Sequence, residues 1–104
     1  MARIRVKNGP HKGAEFNIKD DSLIIGRDEI ADGIQILDQG VSRRHAEIFR
    51  IGEMYFIRDL GSRNGTFVNE EKVTEELLRV GDEVKIGSTL MVFEDKRSKS
   101  AKDS

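Results

Sequence analysis

The sequence predicts an all-β fold, an antiparallel sandwich or barrel in one domain. Three observations carry this. Short apolar segments alternate with polar residues along the chain. The 10 glycines are spread out and break those segments at intervals of about ten residues. β-branched and aromatic residues dominate the segments, as a pleated, half-buried surface favours. A length of 104 residues fits a single domain. Such a domain buries roughly two-thirds of the surface of its unfolded chain, enough for one core without metal or disulfide support.

The elements follow in order. Ala2 to Asn8 alternates, with Ile4 and Val6 on one side and Arg3, Arg5 and Lys7 on the other. Asn8-Gly9-Pro10 reads as a turn. Glu15 to Ile18 sets Phe16 and Ile18 together, Leu23 to Gly26 is a short apolar run, and Ile34 and Ile36 flank Gln35. Ala46, Ile48 and Arg50 oppose Glu47 and Phe49; after a turn at Ile51-Gly52-Glu53, Tyr55, Ile57 and Asp59 oppose Met54, Phe56 and Arg58. These two runs read as one hairpin. Thr66 to Asn69, Glu83 to Ile86 and Leu90 to Glu94 complete the strands, the last two joined by Gly87-Ser88-Thr89. One stretch, Thr74 to Leu78, has helical character with Thr74 as its N-cap, and Val80-Gly81-Asp82 stops it after about one turn. From Asp95 the composition changes: residues 95–104 hold one apolar residue, Ala101, too little to offset ordering entropy. The expected division is a domain over 1–94 and a disordered tail or linker over 95–104.

Composition excludes several function classes. Lys plus Arg is 18 against 19 for Asp plus Glu, a net charge of -1, so a global field for nucleic acid is absent. The chain has no cysteine, which removes disulfides, thiolate metal sites and a cysteine nucleophile, and fits a reducing compartment. No apolar run approaches the roughly 20 residues of a membrane span, and Met1 to Val6 lacks the apolar stretch of a secretory signal. The expectation is a cytoplasmic domain with no cofactor, metal, nucleic acid or membrane partner.

Three loops hold polar residues that strand propensity does not explain: Gly26-Arg27, Val41-Ser42-Arg43-Arg44-His45, and Asp59-Leu60-Gly61-Ser62-Arg63-Asn64-Gly65-Thr66. Loops at one end of a sandwich cluster in space. If these share an end, they pool Arg27, Ser42, Arg43, Arg63 and Asn64. Close arginines repel one another, and a dianion offsets that repulsion. Phosphate, with a charge of about -1.5 to -2 and three acceptor oxygens, suits planar guanidinium forks better than a single carboxylate does. Taken singly, each piece has a plainer reading. Arg27 suits a surface salt bridge, Ser42 to His45 a solvated loop, and Asn64-Gly65 a hairpin turn.

In this order the three segments resemble the forkhead-associated (FHA) domain, over roughly Ile4 to Phe93. The run Val80-Gly81-Asp82-Glu83-Val84-Lys85-Ile86-Gly87 is similar to the Gly-Asp that opens a late strand of that family. The resemblance implies an eleven-stranded antiparallel β-sandwich that binds phosphothreonine peptides through loops at one end, downstream of a Ser/Thr kinase. By position, Arg27 and Ser42 would bind phosphate, Arg43 and Arg63 would add charge, and Asn64 would hold the peptide main chain after the phosphothreonine. Gly26 would serve a tight turn and His45 would brace the loops, with Gly65, Thr66 and Asn69 as further supports. Family members select the third residue after the phosphothreonine near Gly40 and Arg63. Gly40 offers no side chain, which leaves a cationic contact to Arg63, or an apolar or weak preference. Ser98, Ser100 and Ser104 supply no threonine for the self-docking seen in some bacterial relatives.

Rival functions are an enzyme, a nucleic-acid barrel and a phosphate-independent interaction module of the same fold. Ser42 and His45 lie three apart, so on extended chain they point to opposite faces, against a nucleophile–base pair. Tryptophan is absent, and Phe49, Tyr55, Phe56, Phe67 and Phe93 sit in strand patterns that read as core, not as a base-stacking groove. The phosphate-independent module is the alternative carried forward.

Overall fold

Alternation in the first strand decides which side is dry. In β1 (Ala2–Val6), Ala2, Ile4 and Val6 are buried while Arg3 and Arg5 face outward. The computed structural model describes residues 2–31 and 33–95. β1 is followed by a single 3-10 turn (Gly9–His11), then β2 (Glu15–Asn17), β3 (Ser22–Gly26), β4 (Ile34–Gln35), β5 (Ala46–Ile51) and β6 (Met54–Asp59). β7 (Thr66–Val68), β8 (Glu71–Val73), β9 (Glu75–Leu78), β10 (Glu83–Ile86) and β11 (Thr89–Asp95) complete the fold.

The strands form two sheets. One has six strands in the order β2-β1-β11-β10-β7-β8, the other five in the order β4-β3-β5-β6-β9. The neighbours pair antiparallel, except that β3 and β4 run parallel, Ile25 opposite Ile34. The inner faces meet in a core that includes Ile4, Ile25, Ile48, Ile57, Val84, Ile86 and Met91. Each such side chain contributes about 1.5–3 kcal/mol by leaving water. Tyr55 of β6 and Phe93 of β11 join the sheets, their ring centres 5.4 Å apart. The all-β sandwich is therefore the observed architecture.

Four expectations change. Thr74 to Leu78 is not a helical turn: Glu75–Leu78 is edge strand β9, pairing antiparallel with β6 and burying Leu78. A stretch this short has too little helical cooperativity to resist the unpaired edge of β6. β8, which the pattern does not announce, pairs with β7. Phe49, Phe56 and Phe67 are only half-buried; Phe49 and Phe56 stack at 5.4 Å on the outer face of the five-stranded sheet, with the Arg58 guanidinium 4.5 Å above Phe49. The last strand runs through Asp95, and the rest of the expected tail lies outside the described residues.

Candidate functional site

The three polar loops meet at one end of the sandwich. Arg27 follows β3, Val41 to Arg43 precede β5, and Arg63 and Asn64 lie between β6 and β7. Together with Gln39 and Gly40, these residues line one hollow of about 190 Å³. Residues 36 sequence positions apart, Arg27 and Arg63, thus share a wall because β3 and β6 flank β5 in one sheet. β6 and β7 belong to different sheets, so Asn64-Gly65 does not close a hairpin; it carries the chain from one sheet to the other.

Backbone contacts seat the first two loops. Arg27 N–H donates to Ser42 O at 3.0 Å and Asp28 N–H to Arg43 O at 3.2 Å. Gly26 is required by this approach rather than by a tight turn: a Cβ there would stand 2.0 Å from Arg43 O. Arg27 Nε donates to Val41 O at 3.0 Å, which aims the guanidinium and leaves its terminal nitrogens without a partner among the described residues.

His45 is fully buried and ties two loops together. Its Nδ1 accepts the Ser42 amide at 3.1 Å, so the ring proton sits on Nε2, which donates to Gly65 O at 2.8 Å. Both ring nitrogens are thereby engaged by backbone, and the ring has no role as a base for the Ser42 hydroxyl. The Ser42 amide is thereby consumed and is not free to donate to a ligand. Ser42 Oγ accepts Arg63 N–H at 3.0 Å and keeps its own proton for a ligand. Asn64 Nδ2 donates to Gly40 O at 2.9 Å, leaving Oδ1 to accept.

Two carboxylates that sequence reasoning passed over hold the remaining geometry. Asp59 Oδ2 accepts the Gly61 and Ser62 amides at 3.0 Å each, and Oδ1 accepts Ser62 Oγ at 2.6 Å and buried Thr66 Oγ1 at 2.7 Å. Ser62 Oγ in turn accepts Gly65 N–H at 2.9 Å, and Gly65 takes φ +91°, where glycine is unstrained. Burial pushes the Asp59 carboxyl up, but hydrogen bonds from Ser62 and Thr66 outweigh it and the net shift is down. Asp38 works likewise between the β4–β5 loop and the β10–β11 turn. Its Oδ1 accepts Gly40 N–H at 2.8 Å, and its Oδ2 accepts Ser88 N–H, Ser88 Oγ and Thr89 Oγ1 at 2.8–3.0 Å. Burial opposes ionisation there, yet these donors lower its pKa to about 2. A legible signal existed for both: Asp38-Gln39-Gly40 and Asp59-Leu60-Gly61 are aspartates whose side chains cap the amide two residues on.

The arginines of the hollow differ from those elsewhere in their pairing. Arg3, Arg5, Arg50 and Arg58 are ion-paired elsewhere, whereas Arg27, Arg43 and Arg63 make no ion pair among the described residues. Asn69 does not belong with the binding loops. At φ +49° it closes the far end of β7, donating to Asp82 Oδ1 and accepting Glu83 N–H, both at 3.0 Å. Among the described residues no cluster of His, Cys, Asp or Glu could hold a metal, and no helix is long and apolar enough to cross a membrane.

Residues 5–97 match the family described as the cytoplasmic domain of the inner membrane component of type III secretion. The chain is 42% identical over 92 residues to an oxoglutarate dehydrogenase inhibitor of Corynebacterium jeikeium, covering 88% of this chain and 63% of that protein. The chain thus spans less than two-thirds of that relative. It superposes with a TM-score of 0.82 and 34% identity on a domain solved in a structural and functional analysis of phosphothreonine-dependent FHA domain interactions, covering 90% of this chain and 95% of the other. Mycobacterium tuberculosis EmbR, solved in complex with a low-affinity phosphopeptide, matches with a TM-score of 0.79 and 29% identity over 89% of this chain and 24% of its own. On its fold, its loop motifs and these likenesses, the chain belongs to the forkhead-associated domain family.

Proposed function

We propose that this chain is a phosphothreonine-dependent peptide-binding module, an adaptor that docks partners already modified by a Ser/Thr kinase. The observation that carries this reading is the hollow lined by Arg27, Ser42, Arg43, Arg63 and Asn64, whose three arginines have no acidic partner among the described residues. Arg27 directs its terminal nitrogens to the phosphate, Ser42 adds its hydroxyl proton, and Arg43 and Arg63 supply charge from either side. Asn64 Oδ1 accepts a main-chain N–H of the residue after the phosphothreonine. Gly26, His45, Gly65 and Thr66 hold these groups without touching the ligand. The chemistry is binding, not turnover: His45 is occupied and the Ser42 hydroxyl has no base. The cytoplasm is the compartment that brings kinase, substrate and module together. The phosphothreonine-dependent interactions of the FHA domains it superposes on support the reading.

The test is a titration of one partner-derived peptide in phosphothreonine, phosphoserine and unmodified form. Binding is expected for the first, weakened binding for the second, and none for the third. Equal binding of the unmodified peptide, unaffected by Arg27→Ala, would favour the phosphate-independent module and remove this proposal.

A further inference from the structure

A second groove lies on the outer face of the six-stranded sheet. Its volume is about 560 Å³, and its walls include Phe67, Lys85, Ser88 and Leu90 together with the carboxylates Glu70 and Glu83. One cross-strand row makes the floor. Phe67 of β7 lies opposite Lys72 of β8 and Lys85 of β10, and Lys85 lies opposite Leu90 of β11. The row therefore reads cation, ring, cation, aliphatic.

Two paths of contact connect this groove to the hollow. Along β7, Asn64 and Gly65 lead directly to Phe67, two residues or about 7 Å beyond Gly65; a Cβ at Gly65 would meet Lys72 Cε at 2.8 Å and Phe67 Cε1 at 3.4 Å. Along the other wall, Gly40 accepts from Asn64, a Cβ at Gly40 would stand 3.1 Å from Gly87 Cα, and Asn8 Nδ2 donates to Ser88 O at 3.2 Å. At Gly40, Gly65 and Gly87 the neighbours stand so close that a Cβ would meet them at 2.8–3.1 Å.

The charges differ along the groove. Glu70 and Glu83 line it just past the end of β7 and at the start of β10, Glu83 held by Lys7 at 2.8 Å, whereas Lys85, and Lys72 outside the lining, make no ion pair among the described residues. A segment that suits this floor places an apolar side chain on Phe67 and Leu90 and a carboxylate at Lys85.

We propose that this groove binds the part of the phosphothreonine peptide downstream of the residues at Asn64 and Gly40, and that it selects an apolar residue with an acidic neighbour. The proposal rests on the reading of the hollow as the phosphothreonine site. It places selectivity past Gly40, where the chain offers no side chain, on Phe67, Lys85 and Leu90.

The experiment compares two synthetic phosphothreonine peptides by fluorescence anisotropy. One stops about three residues after the phosphothreonine; the other continues with alternating leucine and aspartate. The longer peptide is expected to bind about tenfold tighter, the effect of roughly two CH₂ groups leaving water. Lys85→Glu and, separately, Leu90→Ser should abolish that gain and leave the shorter peptide unchanged. Amide shifts at 67, 85 and 90 should move with the longer peptide alone. If the shorter peptide binds and the extension adds nothing, or Lys85→Glu weakens both peptides equally, the groove proposal is overturned while the phosphate site stands. If neither peptide binds, the phosphate reading falls and the groove proposal with it.

Discussion

The Nδ1 of His45 accepts the backbone amide of Ser42 at 3.1 Å, so a buried imidazole sets the pose of a half-buried serine. The same ring donates to Gly65 O at 2.8 Å. One side chain therefore fixes the spacing between the loop that carries Ser42 and Arg43 and the loop that carries Arg63 and Asn64.

Replacing His45 with Ala should destabilise the fold first and weaken binding second. It strands a part-buried amide and a buried carbonyl and leaves a void, together on the order of 2–4 kcal/mol. A thermal melt should show a drop of about 10 °C or more for a domain of this size. An unchanged melting temperature alongside lost binding would contradict the bracing role.

Arg27 should behave in the opposite way. Arg27→Ala removes its bond to Val41 O, worth about 0.5–1.5 kcal/mol, so the melt should fall by only a few degrees, less than for His45→Ala. Its loss from the hollow removes two charge-assisted bonds, and phosphopeptide affinity should fall by roughly a hundredfold or more. Arg27→Lys should restore only part, because a point charge replaces a planar fork. Full recovery with lysine would show that charge alone suffices there.

Acid should loosen the binding end through Asp38 and Asp59. Both carboxyls ionise more readily in the folded protein than in the unfolded chain, with Asp38 at about 2. As pH falls, the unfolded chain takes up protons first, so this stabilisation is complete above the unfolded value near 4 and is lost as pH drops toward 2. Melts between pH 7 and pH 2 should fall most steeply in that window. Asp38→Asn should flatten the dependence and loosen the contact between Gly40 and the Ser88 turn. A profile of Asp38→Asn that matches the parent would refute this assignment.

Gly26→Ala tests close approach rather than turn chemistry. Its Cβ would stand 2.0 Å from Arg43 O, which is backbone and cannot swing aside. The chain must shift, at a cost of about 1–3 kcal/mol, and the register of Arg27 against Ser42 moves with it. Chemical denaturation should report the loss, and titration should report weaker phosphopeptide binding; a fully stable variant would show that the strand yields easily.

Alternation determined much of the fold. Ile4 with Val6, Ile48 with Ile57, and Val84 with Ile86 mark inward faces because a strand repeats every two residues, and the β5–β6 hairpin is legible from the two runs either side of Gly52. The residue types of the hollow were also legible, since Arg27, Ser42, Arg43, Arg63 and Asn64 stand out as polar loop residues with no strand role. Tertiary structure decided the rest. Glu75 to Leu78 became a strand because β6 had an open edge, a partner that local propensity does not contain. Asn64-Gly65 bridged two sheets instead of closing a hairpin, and Asn69 went to the far end of β7. Asp38 reached Ser88 across 50 positions, and Phe67, Lys85 and Leu90 lined up only once β7, β10 and β11 were neighbours. Periodicity is a property of a short segment and can be read locally. Which strands lie side by side, and which loops share an end, depends on how whole sheets pack, and no single segment carries that information.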